Sequence, residues 1–585
     1  MRLTAILSIL FLALRSAGIS PGDAWGTYVS TTTSTPADGI RIAWDRSSLQ
    51  KLAPFGQKNP GWAGYPRLRR LSDGQLLVVY ETGGNVEMVR STNNGMSWSS
   101  SEIIFEKHQA TGENGLSTEV RKSNPELCQL HNGNLVIACN YRPVKAEITP
   151  FAIAVKRSTD NGTTWTDSQV VYEAGPRFAD GCWEPAFLQL PGGELQIYFA
   201  NEAPYTRSDE QEISVISSSD NGITWSSDAK TVSFRKNRRD GMPVPLLVDD
   251  EILVAIEDNQ VGQFKPYIVR NKVSENWKTI VTGDSPLREY ALKERLPDST
   301  YAGAPYILRV PSGEVVLSYQ TTSGRTTNWE RSDMEVAVGD ITGRNFSKLT
   351  RPFEVPLDKE AKWSSLSLWD ENTIAALSTT SFQSRHPEVW MILGHIIPEL
   401  KAIRKKVTVD GNLLEWNEKF PIFIGNQINA NLSAALGYDD QNLILGVMVK
   451  DNRLTSNNLN PSGSHGVWVY MAAEDQNTAS PGMRLIKIWC SLQGDTNIFE
   501  MKNDIWSEMT SGGLKSAVSG REGVFQIELA VPFSDFRKSA TSGIRINMGL
   551  KSADPDGSAF TEHIVHTDPL SPDTWLNIEL INEIE

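Results

Sequence analysis

Two glutamates occupy matching places in a chain whose sequence repeats itself. Glu184 opens one short apolar segment and Glu257 closes another. Two carboxyl groups that face each other across a sugar-sized gap, one protonated and one ionised, can cleave a glycosidic bond. Glu184 and Glu257 are therefore the predicted catalytic residues, provided that the fold brings them together.

The elements that would position these glutamates are strands of a sixfold repeat. Each unit has a short apolar strand, a polar turn that usually contains glycine, and a second apolar strand. Successive units are separated by 58 to 62 residues, and they begin at Tyr65, Asn124, Glu184, Met242, Ala304 and Trp363. This spacing leaves room for two further strands per unit. Four strands repeated six times predict an all-β fold, a six-bladed β-propeller over residues 40–397 that is closed by a strand near Ile40–Trp44.

A second motif lies in phase with the repeat. Ser158–Trp165 and Ser218–Trp225 fit the pattern S-x-D-x-G-x-x-W, and Ser91–Trp98 differs only by asparagine in place of aspartate. These segments resemble the Asp boxes of sialidase-like propellers. A short polar side chain can cap the turn, glycine can adopt the required backbone angles and tryptophan can pack between blades. We therefore expect the boxes to be structural and to lie on the face opposite the active site.

Propeller geometry predicts which residues surround the site. The first strand of each blade lines the axis and the second runs antiparallel to it, so the start of one and the end of the other open on the same face. Acidic residues are frequent at these two positions. The predicted substrate-binding residues at this funnel are Tyr65, Arg67, Glu202, Asp240 and Tyr306.

Several of these segments resemble glycoside hydrolase family 93, whose members are exo-α-1,5-L-arabinanases with a sialidase-like propeller. The resemblance covers residues 40–397 and is carried by the acidic strand end at Glu257 together with Trp183–Pro185, Asn201–Glu202, Arg239–Met242 and Ala302–Pro305. It implies a retaining exo-glycosidase with two catalytic glutamates, which map onto Glu184 and Glu257. Which glutamate is the acid/base and which the nucleophile stays open.

Two other functions remain as alternatives. An exo-α-sialidase on the same fold needs three arginines for the sialic-acid carboxylate, and Arg67, Arg142 and Arg325 are the candidates. A non-catalytic propeller that binds a glycan or a protein would need no facing pair of glutamates.

The pattern changes after Pro398. A basic linker is predicted over residues 398–406, followed by a β-sandwich over residues 407–585. The segments Val407–Trp416, Gly437–Asp451 and Gly523–Phe533 resemble family 9 carbohydrate-binding modules. We expect Trp416 in the core of this domain. The candidates for stacking on sugar, with a core position as the alternative for each, are Trp468, Trp489, Trp506 and Trp575.

Composition and termini restrict the partners. The 585 residues carry a formal charge of −14, which argues against nucleic-acid binding. Residues 1–24 resemble an export signal, with Arg2 followed by the apolar run Leu3–Leu14. This run of 12 residues is too short to span a bilayer, which favours a cleaved signal over an anchor. An uncleaved anchor is the alternative to a secreted or periplasmic protein. The sequence predicts an oligo- or polysaccharide substrate, no membrane span, no cofactor and no metal site. Cys128 and Cys139 are expected either to pair or to remain free.

Overall fold

The computed structural model describes residues 39–53, 62–113, 115–353, 355–398 and much of 400–581. The gaps in that last range are residues 417–419, 421, 426–429, 452–453, 455–464, 475–482, 504, 537–543, 554–558, 564–571 and 573–574. The predicted export signal lies outside the described residues. The chain divides into two compact units, one consisting chiefly of residues 37–400 and the other chiefly of residues 401–564.

The first unit is a six-bladed β-propeller, which confirms the predicted fold. Blade 6 contains the N-terminal strand β1 (Ile40–Ala53). Blade 1 comprises β2 (Ala63–Arg70), β3 (Leu76–Thr82), β4 (Asn85–Ser91) and β5 (Glu102–Phe105). Blade 2 comprises β6 (His108–Thr111), β7 (Ser117–Gln129), β8 (Leu135–Pro143), β9 (Ala152–Ser158) and β10 (Gln169–Glu173). Blade 3 comprises β11 (Cys182–Gln189), β12 (Leu195–Asn201), β13 (Glu212–Ser218) and β14 (Lys230–Phe234).

Blade 4 comprises β15 (Asp240–Val248), β16 (Glu251–Val261), β17 (Gln263–Lys272) and β19 (Arg288–Tyr290), while β18 (Val281–Thr282) adds to blade 3. Blade 5 comprises β20 (Ala302–Arg309), β21 (Val315–Thr321), β22 (Asp333–Val338) and β23 (Ser347–Thr350). Blade 6 comprises β24 (Ala361–Asp370), β25 (Thr373–Thr380) and β26 (Glu388–Pro398), with β1 as its outer strand. Strand β1 pairs antiparallel with β26, from Ile40 opposite Pro398 to Ala53 opposite Val389. The predicted closure by an N-terminal strand is thus confirmed, and it covers the edge of the last blade.

The three Asp boxes are structural, as predicted. In each box the first serine accepts a hydrogen bond from the backbone N–H of the glycine, at 2.8 Å in two boxes and 2.9 Å in the third. The Asp160 carboxylate caps the N–H of Thr164 at 2.9 Å. The tryptophans Trp98, Trp165 and Trp225 pack against apolar clusters that include residues of the preceding blade.

Every inner strand carries a β-bulge near its start. At the bulge one residue other than glycine adopts a positive φ of 48° to 55°, and these residues are Tyr65, Asn124, Glu184, Met242, Ala304 and Trp363. The pairing register shifts at the same point in all six blades. Left-handed backbone is uncommon for such residues, and bulges re-aim side chains. The sixfold bulge therefore marks one level of the axis at which all six blades present a side chain.

The second unit is built on one 13-stranded sheet. Its strands are β27 (Leu400–Arg404), β28 (Ile422–Gly425), β29 (Ala430–Tyr438), β30 (Asn442–Asp451), β31 (Gly466–Glu474), β32 (Met483–Ser491), β33 (Thr496–Lys502), β34 (Ile505–Glu508), β35 (Lys515–Arg521), β36 (Val524–Pro532), β37 (Ile544–Ala553), β38 (Ala559–His563) and β39 (Leu576–Ile581), and a short helix α1 spans Phe533–Phe536. The predicted linker thus contains strand β27, which pairs in parallel with β29. The sandwich arrangement itself stays a prediction.

Candidate functional site

A ring of hydrogen bonds joins the blades at the level of the bulges. In five places a side chain in the second half of the second strand of one blade accepts a hydrogen bond from the backbone N–H of the positive-φ residue in the next blade. The acceptor atoms are Glu81 Oε2 for Asn124 (2.9 Å), Asn140 Oδ1 for Glu184 (2.8 Å), Glu257 Oε2 for Ala304 (2.7 Å), Gln320 Oε1 for Trp363 (2.8 Å) and Thr379 Oγ1 for Tyr65 (2.9 Å). Strand starts and strand ends therefore meet on one face.

Between blades 3 and 4 the link is made by Glu184. Its carboxylate accepts the backbone N–H of Met242. The strand-end residue Asn201 instead accepts from the N–H of Ala203 at 3.1 Å and donates to Tyr172 and Ser214. The Glu184 side chain therefore reaches from its own blade to the next.

The Glu257 carboxylate lies between Gly241 of its own blade and Gly303 of blade 5. A Cβ atom at Gly241 would lie 3.0 Å from Glu257 Oε1, and one at Gly303 would lie 2.4 Å from Oε2. A side chain at Gly303 would displace the Glu257 carboxylate, and a side chain at Gly241 would press against it. Gly241 directly precedes Met242, so both carboxylates contact the Gly241–Met242 segment of blade 4.

Both carboxyl groups have a raised pKa, and Glu257 contributes to the shift at Glu184. Burial, followed by the charge of Glu257, raises the pKa of Glu184 to about 8. Burial raises the pKa of Glu257 to about 7, against the opposing effects of the Ala304 N–H and the Arg239 guanidinium. At neutral pH the pair can hold one proton, which is the state that acid–base chemistry requires.

Two arginines and a third glutamate surround this pair. Arg142 lowers the pKa of both Glu81 and Glu184 by its charge, so it lies within electrostatic reach of both. Arg239 forms an ion pair with Glu202, a predicted substrate-binding residue whose side chain is buried. The charge of Glu202 in turn raises the pKa of Glu184. Glu202 thus lies beside the pair, but its carboxylate is paired with Arg239.

Three predicted binding residues lie close to one another along the axis. Arg67 is 3% exposed and pairs with Glu126 at 2.9 Å. Its guanidinium carbon lies 4.1 Å from the ring centre of Tyr65 and 5.0 Å from that of Tyr306. The hydroxyl of Tyr306 accepts a hydrogen bond from Arg69 at 3.3 Å. Tyr65 and Tyr306 are each 3% exposed, so these side chains fill the axis and leave little surface for a ligand.

The structure corrects the assignment of Asp240 to the sugar-binding surface. Its side chain is fully buried, and Arg288 donates to both of its oxygens, at 2.8 and 2.6 Å. The neighbouring Asp258 is equally buried and also accepts from Arg288, at 2.7 Å. A strand-start aspartate lies inside the blade here because the side chains of a strand alternate between faces.

The side of the site formed by blades 5 and 6 carries aromatic residues that the sequence does not predict as binding residues. Tyr301 is 8% exposed and its pKa is raised, first by burial and then by the charge of Glu257. Its ring lies 6.1 Å from that of Trp329, and Trp363 meets Trp62 edge-on at 6.0 Å. The only sequence signal for Tyr301 is its position just before the Ala302–Pro305 segment.

Two of the three arginines proposed for a sialidase bind partners inside the protein. Arg325 donates to the carbonyl oxygens of Arg331, Val355, Pro356 and Lys359 at 2.6 to 2.9 Å. Arg67 is paired with Glu126, as described above. Of the three candidates, Arg142 alone lies near the glutamate pair.

Other sequence-based expectations concern the whole described chain. All four cysteines are free thiols, so Cys128 and Cys139 do not pair. Within the described residues no cluster of three or more histidine, cysteine or acidic side chains could hold a metal ion. None of the helices in that part of the chain is both long and apolar enough for a membrane span.

Comparison with known proteins identifies the repeats. Residues 64–282, which cover blades 1 to 3 and the first three strands of blade 4, match the BNR repeat-like domain. Among solved structures, a family 93 α-L-arabinofuranosidase of Fusarium graminearum in complex with arabinobiose and a Penicillium chrysogenum α-L-arabinanase each share 18% identity and a TM-score of 0.42, over 61% of this chain and 98% of theirs. Trypanosoma rangeli sialidase shares 10% identity and a TM-score of 0.42, over 92% of this chain and 98% of its own. No curated protein matches the sequence. Residues 64–282 of the six-bladed propeller thus resemble BNR repeats.

Proposed function

We propose that this protein is an exo-acting glycoside hydrolase whose catalytic carboxyl groups are those of Glu184 and Glu257. One observation carries the proposal: two partly buried carboxylates from adjacent blades contact the same Gly241–Met242 segment, and the charge of Glu257 raises the pKa of Glu184. A structural hydrogen-bond acceptor needs no second carboxylate beside it. A glycosidase needs two, with different protonation states.

The roles follow from the surroundings of each group. We assign to Glu184, whose pKa is raised both by burial and by the charge of Glu257, the proton that is donated to the glycosidic oxygen. Glu257 is the carboxylate that attacks the anomeric carbon as the bond to that oxygen breaks. Glu184, now ionised, then takes a proton from water, whose oxygen attacks the anomeric carbon and releases Glu257. This sequence retains the anomeric configuration.

For the substrate we propose an α-1,5-linked arabinan, cleaved from its end. The support is the resemblance of the segments around Glu184, Glu202, Met242, Glu257 and Ala304 to family 93. The geometry adds that Arg67 and Arg325 are occupied by partners inside the protein, which leaves a sialic-acid carboxylate without two of its three expected arginines.

A sialidase remains the second candidate for one specific reason. A Cβ atom at Gly303 would lie 2.4 Å from Glu257 Oε2 and 2.5 Å from the hydroxyl of Tyr301, so these two groups lie close together. A tyrosine activated by a glutamate is the nucleophile of sialidases. Hydrolysis of sialyl-lactose but not of arabino-oligosaccharides would favour this candidate. If the protein hydrolysed neither substrate, a non-catalytic propeller that binds a ligand would be the remaining function.

The catalytic pair is tested by three matched substitutions. E184Q and E257Q keep shape and hydrogen-bonding capacity but cannot ionise, so each should lower kcat on arabino-oligosaccharides by at least about 10²–10⁴-fold. E81Q is the control, because Glu81 makes the same kind of backbone link and has a pKa raised to about 7, yet contacts neither catalytic group. Its loss should be far smaller. Wild-type rates in E184Q and E257Q, with all three proteins folded by melting temperature, would refute the assignment.

For the second unit we propose an accessory sugar-binding role. Strands β31 to β34 place five aromatic residues on one face of the sheet, where Trp468 and Trp489 lie 4.9 Å apart. Trp468, Trp489, Phe499 and Trp506 are partly exposed and Tyr470 is buried beside them. Trp416 is 5% exposed and lies in an apolar cluster of this unit, and Trp575 is 1% exposed, so neither ring is open to a sugar. Rings that are exposed along one face can stack on sugar.

A further inference from the structure

An exposed aromatic ring lies at the rim of the funnel, beside the proposed acid. Phe178 is 61% exposed, and its ring centre lies 4.7 Å from that of Trp183. The guanidinium carbon of Arg142 lies 5.7 Å from the Phe178 ring and 5.2 Å from the Trp183 ring. We call Phe178, Trp183 and Arg142 the aromatic shelf.

The backbone holds this ring in its exposed position. Phe178 begins the short turn Phe178–Asp180, in which Arg177 donates to both oxygens of Asp180, at 2.5 and 2.9 Å. The Gly175 N–H donates to the Asp180 carbonyl at 2.8 Å, and Asp180 is 4% exposed. An apolar side chain that is fixed facing solvent loses little entropy when a ligand covers it.

The shelf adjoins the catalytic pair through two of its members. Trp183 directly precedes Glu184. Arg142 lies within electrostatic reach of the Glu184 carboxylate, and among the described residues no carboxylate lies within 4.0 Å of its guanidinium. Its N–H groups are therefore available to hydroxyl groups of a ligand, above a surface of aromatic rings.

We infer that the aromatic shelf binds the leaving-group sugar of an oligosaccharide. The general acid must contact the glycosidic oxygen, so the sugar that leaves with that oxygen lies on the side of Glu184. The shelf is on that side, and it offers a ring for the apolar face of the sugar and a cation for its hydroxyls. This inference rests on the proposed function and extends it, because it makes the enzyme selective for chains over simple glycosides.

The test compares two substrates of the full-length protein. α-1,5-L-Arabinotriose places a sugar on the shelf, whereas α-L-arabinofuranosyl fluoride has no leaving-group sugar. The ratio of kcat/KM for the triose to that for the fluoride should fall about fivefold to tenfold in F178A and stay near the wild-type value in F178Y. M96A removes a side chain that is 83% exposed on an Asp-box turn and serves as the control. An unchanged ratio in F178A would refute the inference.

A binding measurement separates this inference from the proposed function. If the wild type hydrolyses neither substrate, calorimetric titration of wild type and F178A with arabinotriose and with sialyl-lactose still tests the shelf. Weaker binding of either sugar by F178A, with M96A unchanged, would support the shelf although the hydrolase proposal had failed. Equal binding by the two proteins, or no binding at all, would overturn it.

Discussion

Two glutamates at this site make the same kind of backbone hydrogen bond but have different charged neighbours. Glu81 and Glu257 both lie in the second half of a second strand, and both accept a hydrogen bond from the backbone N–H of the positive-φ residue in the next blade. What distinguishes them is their neighbours. Glu257 has a second carboxylate, Glu184, beside it. The charged neighbours of Glu81 that shift its pKa include the cation Arg142, which also acts on Glu184. Charge and proximity, rather than position in the repeat, select the pair.

The pKa values of this pair predict how activity depends on pH. As the proposed acid, Glu184 must be protonated, so kcat/KM should fall as the pH rises above about 8, the value to which its pKa is raised. As the proposed nucleophile, Glu257 must be ionised, so kcat/KM should fall as the pH drops below about 7, the value to which its pKa is raised. Because the groups are coupled, the two limbs of the profile belong to the pair. A pH–rate profile on arabinotriose should therefore be a narrow bell that peaks between these values, and a maximum near pH 4 would contradict the assignment.

The same shift also affects stability. Folding raises the pKa of Glu184 above its ordinary value of 4.5, so the folded protein binds this proton more tightly than the unfolded chain. That contribution is complete below pH 4.5 and is lost as the pH rises through about 8. Glutamine does not titrate. The melting temperature of E184Q relative to wild type should therefore increase from pH 5 to pH 8.

At the scale of elements, buried ion pairs hold strands of blade 4 together. Arg288 on β19 pairs with Asp240 on β15 and Asp258 on β16, and all three side chains are fully buried. Arg235 makes a further pair with Asp258 at 2.8 Å. Removing the shared cation would leave Asp240 as an uncompensated buried charge.

We therefore expect R288M to lower the free energy of unfolding by about 3–5 kcal/mol, measured by urea denaturation. The control is R309Q, which breaks the exposed pair of Arg309 with Asp249 at 3.1 Å. It should cost less than about 1 kcal/mol. If R288M proved as stable as R309Q, this network would have no structural role.

At the scale of the whole molecule, the proposed functions are divided between two units. The propeller holds the candidate catalytic groups, and the sheet of the second unit presents an aromatic face. On that face Lys487 lies 4.7 to 5.2 Å from the ring centres of Trp468, Phe499 and Trp506. A hydrolase that acts on chains gains from such a surface because a polymer bound at two places dissociates more slowly.

The accessory role is tested on the full-length chain. W489A and W506A should each weaken retention on polysaccharide affinity gels by about tenfold, while kcat/KM on arabinotriose stays unchanged. I505A is the matched control, since Ile505 is 66% exposed on the same strand as Trp506 but points to the opposite face of the sheet. If W489A and W506A were retained as strongly as I505A, the aromatic face would have no role in sugar binding.

The sequence by itself determined the repeat, the number of blades, the closing strand and the structural role of the Asp boxes. Each of these follows from a local pattern, such as the alternation of apolar strands with glycine turns at a period near 60. It also predicted that strand starts and strand ends meet on one face, because antiparallel pairing makes this unavoidable. Glu184 and Glu257 could be proposed for that reason.

Tertiary structure decided which of the side chains at those positions are open to a ligand. Asp240 is enclosed by Arg288, a residue 48 positions away, and Arg67 by Glu126, 59 positions away. Arg325 is held by carbonyl groups of a later loop, and Tyr301 joins the site from a loop that carries no motif. Burial and pairing depend on residues that are distant in sequence, so no spacing rule in one chain can reveal them.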